Sequence, residues 1–473
     1  MAGKVSLKWI QENRGELVEV SDKIWAYAEP GLKENKSAQL QAKVLQEAGF
    51  EVEIGVAGMP SALVATWGSG KPVIGLLGEY DALPGISQKA VPHQEPLEAG
   101  AAGHGCGHNL LGTAAMGAAM AIKEEMQARG LAGTIRYYGC PAEETLVGKV
   151  FMVRDGLFDD VDASLTWHPG STNSLWGSSS LALNSAKFKF FGRSSHAAGN
   201  PQAGRSALDA VELMNVGVNF LREHVTPKSR IHYVITNGGG EPNVVPPEAE
   251  VWYYVRAPER DEVDEIYKRI VNIAEGATLM TETTYELEFL SGCYNMIPND
   301  VLGKLLHDTL VDLGAPEWDE DDEAWARKHA AGFVEGSREK SLKFMGKFEE
   351  IADDVYLHNS VTPIPEHQDE PMGGSTDVAD VSWVTPTAQF TTACGVIGMT
   401  GHSWQFVASS GMSIGHKGMF RATEVLALAG LRLIEDAELL DEAKKEFAEA
   451  TADKPYESPL PEGMAPPLHQ LDH

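Results

Sequence analysis

The run Val73-Ile74-Gly75-Leu76-Leu77 passes without a break into Gly78-Glu79-Tyr80-Asp81-Ala82-Leu83-Pro84, and it carries the reading of this chain. Five consecutive positions without polar alternation describe a strand covered on both faces, as at the centre of an α/β sheet. Two acids and a proline follow at once, at the carboxyl end of that strand. In open α/β sheets this end is where sites form.

Working outward, residues 6–28 carry apolar groups at helical spacing until Glu29-Pro30-Gly31 stops them, and a second helix fits Ser37 to Ala48. Ser61–Trp67 reads as a neighbouring strand. Downstream come a long Ala- and Met-rich helix, Asn109–Gln127, and strands at Gly133–Tyr138 and Ala163–Trp167. Strands alternating with helices predict a doubly wound α/β domain.

Near residue 184 the pattern changes. Strand Ala186–Phe191, helix Ser206–His224, strands Arg230–Thr236 and Ala249–Arg256, helix Glu262–Met280 and strand Thr284–Leu290 follow in order. That is the β-α-β-β-α-β order of a ferredoxin-like α+β domain. The reading is therefore a larger domain in two parts, 1–184 and 295–473, interrupted by a compact insertion over 185–294. Past Val301 the acidic run 317–323 and the mixed-charge helical stretch 324–354 read as a solvated surface arm. Gln389–Met399 is another buried strand, Lys417–Leu440 a helix, and the Pro-rich tail from Pro455 an extended segment that packs over the surface or frays.

The chain has 473 residues, with 38 basic against 68 acidic side chains and a formal charge of −30. At roughly 150 residues per domain this allows two or three domains. A field of that sign repels polyphosphate, which argues against nucleic acid or an anionic membrane as partner. No stretch approaches the ~18 apolar residues of a membrane span, and the N-terminus has no apolar signal core. Cys106, Cys140, Cys293 and Cys394 make no disulfide framework, so a reducing cytoplasm is expected.

Five polar clusters follow predicted strands or open a helix: Gly78–Pro84, Gly103-His104-Gly105-Cys106-Gly107-His108-Asn109, Pro141-Ala142-Glu143-Glu144, Trp167-His168-Pro169 and Gly401-His402-Ser403-Trp404. Singly each is a modest signal, since a histidine at a strand end is often only a structural hydrogen-bonder. Together, thiol, imidazoles and carboxylates at successive strand ends form a set suited to divalent transition metals. No paired Cys-x-x-Cys spacing is present, so an open catalytic site fits better than a closed structural zinc site. In Glu143-Glu144 successive side chains point apart, so one can ligate metal while the other serves as general base and acid.

On these residues the chain resembles the co-catalytic two-metal aminoacylase/carboxypeptidase family, in its amidohydrolase branch. The matching stretches are Asp81-Ala82-Leu83-Pro84, Cys106-Gly107-His108, Glu143-Glu144, His168-Pro169 and Ser195-His196-Ala197-Ala198. The resemblance implies a zinc-exopeptidase-like domain holding two divalent ions, zinc or manganese with cobalt possible. It implies ligands Cys106, His108, Glu144, His168 and His402, with the Cys106 thiolate bridging, and His416 in reserve. Glu143 is implied as general base, and Glu79, where the family usually has Asp, as the carboxylate orienting a ligand. The insertion is implied to be a dimerisation or lid domain whose His196 stabilises the oxyanion of a partner's site, while Asn243 and Arg256 hold the substrate's carboxylate. Ser375-Thr376-Asp377 reads equally as a site lining or a plain loop. The expected activity is cleavage of an N-acyl or N-aroyl amino acid, with p-aminobenzoyl-glutamate first and indole-acetyl conjugates second. The expected partner is a second copy, or a homologous A-type subunit on which this chain depends or which it serves structurally.

Overall fold

The computed structural model describes residues 3–364, 371 and 373–468. Strands β1 (Glu51–Ile54), β2 (Leu63–Ser69), β3 (Val73–Glu79), β4 (Gly133–Cys140), β5 (Ala163–Gly170) and β6 (Ser174–Trp176) belong to one sheet. Strands β7 (Ala182–Phe191), β8 (Arg230–Asn237), β9 (Glu248–Ala257) and β10 (Thr284–Cys293) form another, and β11 (Thr387–Ala393) returns to the first. The orders are β1-β2-β4-β3-β5-β11-β6 and β10-β7-β9-β8. In the large sheet β4, β3, β5 and β11 are parallel, while β2 and β6 pair antiparallel at its flanks.

Every residue of β3 is buried. Its alternate side chains serve two cores: Ile74 and Leu76 join one apolar cluster, Val73 and Leu77 the other. The first core receives helices α1 (Lys4–Glu12), α2 (Arg14–Tyr27), α3 (Asn35–Glu47) and α4 (His108–Arg129). The second receives α5 (Gly148–Arg154). Gly112 lets α4 pass under the end of β3, since a Cβ there would lie 2.4 Å from the Glu79 carbonyl oxygen.

Two expected helices are each split in two. The helix expected over 6–28 breaks at Asn13, whose amide donates to the Trp9 carbonyl. That expected over Lys417–Leu440 divides at Asp436 into α13 (Ser413–Glu435) and α14 (Ala437–Thr451), because the Asp436 carboxylate caps the Leu439 N–H. Both are short polar side chains that compete for backbone groups. The strand expected over Gln389–Met399 ends at Ala393, and β1, β6 and α5 had no counterpart in the sequence reading.

The small sheet is antiparallel throughout, with α6 (Ala207–Leu221) and α7 (Arg260–Thr281) on one face. It leaves β8 as an exposed edge bearing Tyr233, Val234 and Ile235, and Leu213, Val216 and Phe220 of α6 are exposed as well. The chain then re-enters the larger domain through α8 (Asp300–Leu313).

The acidic segment is not simply a solvated arm. Asp319 caps α9 (Glu320–Ala330) in a capping box with Asp322, and Lys417 of α13 pairs with both acids. His329 is fully buried between the carbonyls of Pro92 and Gln405. Acids at a helix start satisfy orphan N–H groups, which is why the run is acidic. The chain continues through α10 (Ser337–Met345), α11 (Val378–Ser382) and α12 (Trp404–Ser410). In the tail Leu460 is buried and the Tyr456 hydroxyl donates to Asp380; fraying beyond residue 468 lies outside the described residues. No helix among the described residues is long and apolar enough to cross a membrane.

Candidate active site

The five clusters converge at the carboxyl ends of β3, β4 and β5 and in the loop beyond β11. Gly107 opens α4 at φ +78, and a Cβ there would lie 2.6 Å from Phe406, so only glycine fits the turn that sets Cys106 beside His108. Glu143-Glu144 sits between Ala142 (φ 55) and Leu146 (φ 58), and His402 itself has φ 56. Left-handed non-glycine residues cost energy and concentrate at sites that the surrounding fold holds in place.

Ligand-type atoms of Cys106, His108 and His168 lie within 4.8 Å of one another, and so do those of Cys106, Glu144 and His402. Cys106 belongs to both groups. Its Sγ is 3.3 Å from His168 Nε2, and His402 Nε2 is 3.4 Å from Glu144 Oε2. A third group joins Glu79, His108 and Glu143.

The histidine tautomers follow from their partners. His168 Nδ1–H donates to the Pro169 carbonyl at 2.8 Å, and His108 Nδ1–H to Asp81 Oδ1 at 2.8 Å. Both Nε2 atoms therefore face inward. The family resemblance implies Glu79 as the carboxylate orienting a ligand; at His108 Nδ1 it is Asp81 that makes this bond, and Asp81 also accepts the Glu144 N–H at 2.9 Å. Glu79 Oε2 instead stands 3.3 Å from His108 Nε2, the opposite nitrogen. Two residue rises along the chain separate the two acids, with the buried Tyr80 between them.

Burial pushes the Glu143 carboxyl far up, Glu79 and Asp377 add to this, and His108 opposes it. Burial likewise raises Glu144 to about 7, opposed by His108. His168 is lowered to about 4 by burial and then by His108. His108 Nε2 and Glu144 Oε1 are buried without a hydrogen-bond partner among the described residues. Orphaned donor atoms, inward imidazole lone pairs and acids that hold one another's protons make a set that divalent cations fit.

Glu79, Cys106, Glu143, Glu144, His168 and His402 line a cleft of about 640 Å³ together with Trp176, Arg230, His232, Tyr254 and Arg256. Arg256 Nη1 donates to Ser375 Oγ at 2.9 Å, while its Nε is buried without a hydrogen-bond partner among the described residues. Arg230 stands directly opposite Arg256 in the β8–β9 register, steadied by the carbonyls of Pro227 and Ser229. His196 and Asn243 lie outside this cleft: both are exposed, on two surface loops that pair where the Ala197 N–H donates to the Asn243 carbonyl at 2.9 Å. His416 is elsewhere too, 2.9 Å from Asp22 Oδ1.

Sequence reasoning missed Lys149. It is fully buried on α5, with Nζ 2.6 Å from Glu79 Oε1 and 2.5 Å from Asp377 Oδ1. The available signal was one lysine inside the apolar run Val147–Val153.

A family model described as a peptidase dimerisation domain matches residues 181–279. The B-type chain of p-aminobenzoyl-glutamate hydrolase from Escherichia coli (strain K12) is 44% identical over 467 residues, covering 97% of each chain. A putative aminohydrolase structure from methicillin-resistant Staphylococcus aureus has a TM-score of 0.61 at 19% identity, over 92% of this chain and 99% of its own. A Bacillus subtilis structure described as a dinuclear metal-binding peptidase of the M20 family has a TM-score of 0.56 at 15% identity, over 90% and 99%. The two structures share the fold, and the Escherichia coli protein shares sequence along nearly its whole length: the chain belongs to the M20 peptidase family and is a hydrolase of amide bonds.

Proposed function

We propose that the chain hydrolyses the amide bond of an N-aroyl amino acid, p-aminobenzoyl-glutamate, to p-aminobenzoate and glutamate. The observation that carries this reading is Cys106, which stands in two ligand groups at once, beside His108 and His168 on one side and Glu144 and His402 on the other. In this reading those five residues hold two divalent ions, zinc or manganese, or cobalt in their place. Bound there, such ions supply Lewis acidity toward the carbonyl and a lowered pKa for water.

The chain's own residues do the rest. Glu143, 8% exposed at the cleft floor, accepts the proton of the attacking water and returns it to the amide nitrogen as the C–N bond breaks. Arg256, whose Nε has no hydrogen-bond partner among the described residues, binds the α-carboxylate in a forked geometry. Arg230 suits a second carboxylate, because like charges opposite each other on paired strands repel unless an anion lies between them. A dicarboxylic amino acid such as glutamate answers both. His196 and Asn243, exposed on the small domain, are supplied to the cleft of a second copy, His196 to the oxyanion and Asn243 to the carboxylate.

The test is a panel on protein loaded with Zn²⁺ or Mn²⁺, varying acyl group and amino acid separately and reading free amine. Preferred release of p-aminobenzoate from the glutamate conjugate supports the reading. A preference for indole-acetyl conjugates replaces the substrate. Stoichiometric metal without turnover until an A-type subunit is added assigns a dependent subunit.

A further inference from the structure

Lys149 is the one lysine brought into the heart of this site. Its two partners come from distant parts of the chain, Glu79 from the end of β3 and Asp377 from the residue before α11. Asp377 is fully engaged by Lys149: Oδ1 meets Nζ, and Oδ2 accepts the Lys149 backbone N–H at 2.8 Å. Glu79 is only half engaged. Oε1 is held by Nζ at 2.6 Å, and Oε2 is left 3.3 Å from the inward nitrogen of His108.

A buried ion pair adds little stability over an apolar replacement of the same volume, so stability alone does not account for a fully buried lysine here. Orientation does. Glu79 has one more rotatable bond than an aspartate, and without a tether its carboxylate could leave His108. We propose that Lys149 is a positioning residue of the metal centre: it pins Glu79 through one oxygen and presents the other as a carboxylate donor on the His108 side, where Glu79, His108 and Glu143 already form a ligand-type group. Asp377 is the anchor that holds Lys149 in place. This rests on the metal-centre reading above.

Lys149→Met alone leaves two buried acids facing each other and can fail to fold. The working variant is therefore Lys149→Met with Asp377→Asn, which removes one charge of each sign, compared with Glu79→Gln and with the wild-type chain. Each apoprotein is titrated with Co²⁺ under chelator competition, reading equivalents bound and the visible spectrum, with thermal melting as the folding control. The expected result is a folded double variant that binds one of two Co²⁺ equivalents 10–100-fold more weakly with an altered spectrum, as Glu79→Gln does, the range usual for lost outer partners of metal ligands. Wild-type affinity and spectrum in the folded double variant would overturn the positioning role while leaving the metal centre intact. A wild-type chain that takes up no Co²⁺, Zn²⁺ or Mn²⁺ overturns both.

Discussion

Asp81→Asn tests how the site is held together. The Asp81 carboxylate is 1% exposed and has two jobs, one per oxygen: Oδ1 accepts from His108 Nδ1 at 2.8 Å and Oδ2 from the Glu144 N–H at 2.9 Å. An asparagine has one acceptor oxygen and one NH₂ group of nearly the same shape. If its oxygen keeps His108, the NH₂ faces the Glu144 N–H and strands a buried donor. If it keeps Glu144, the NH₂ faces Nδ1, and His108 must move its proton to Nε2, which then points a hydrogen at the metal position. In both cases the two bonds lose the carboxylate's charge, and in the first a buried donor is left unsatisfied, costing about 2–4 kcal/mol of stability by the usual magnitudes. Metal affinity should fall about 10–100-fold, as when a ligating histidine loses its orienting partner. Urea denaturation of the apoprotein reads the first number and competition against a chelator the second. Wild-type stability together with wild-type metal affinity would refute the two-donor argument.

Other outcomes follow from the same geometry. Glu143→Gln should keep both metal ions while kcat falls about 10²–10⁴-fold or more, the range for a lost general acid–base, measured by steady-state kinetics with parallel metal analysis. Arg256→Ala should lower kcat/KM for every substrate with an α-carboxylate by about 10–100-fold, worked from about 1.5–3 kcal/mol for a charged hydrogen bond. Arg230→Gln should mainly erase the preference for glutamate over glutamine conjugates; an unchanged preference removes Arg230 from substrate binding. Burial pushes the Asp380 carboxyl up to about 7 from an ordinary value of 3.8, against hydrogen bonds from the Tyr294 N–H and the Tyr456 hydroxyl. Between those values the folded chain keeps a proton that the unfolded chain has lost, so this group makes stability fall as pH rises from about 4 to about 7. Asp380→Asn should flatten that slope in a series of urea titrations.

Much of the site is legible because its signals are local. Val73–Leu77 is apolar on both faces, so it belongs to the middle of a sheet, and Glu79 and Asp81 sit at its carboxyl end whatever else the chain does. The same holds for Glu143-Glu144 after β4 and His168 at the end of β5. The β-α-β-β-α-β order of the small domain is equally local, since each element declares its own period. Breaks at Asn13 and Asp436 were not legible, because the apolar rhythm runs straight through them while a single side chain diverts the backbone. The acidic run misled for a related reason: charge count is the same for a solvated arm and for a helix start pinned by Lys417.

By itself, then, the sequence determined which residue types stand at the strand ends, and that is enough to predict a metal-binding hydrolase with an inserted α+β domain. Tertiary structure decided which atoms meet. It assigned the His108 bond to Asp81 and not Glu79, put Cys106 into both ligand groups, set Arg230 opposite Arg256, and drew Lys149 from an apolar helix to a pair of acids 70 and 228 residues away. Distances of a few ångströms between groups so far apart in the chain depend on strand register and helix packing. No local period encodes them.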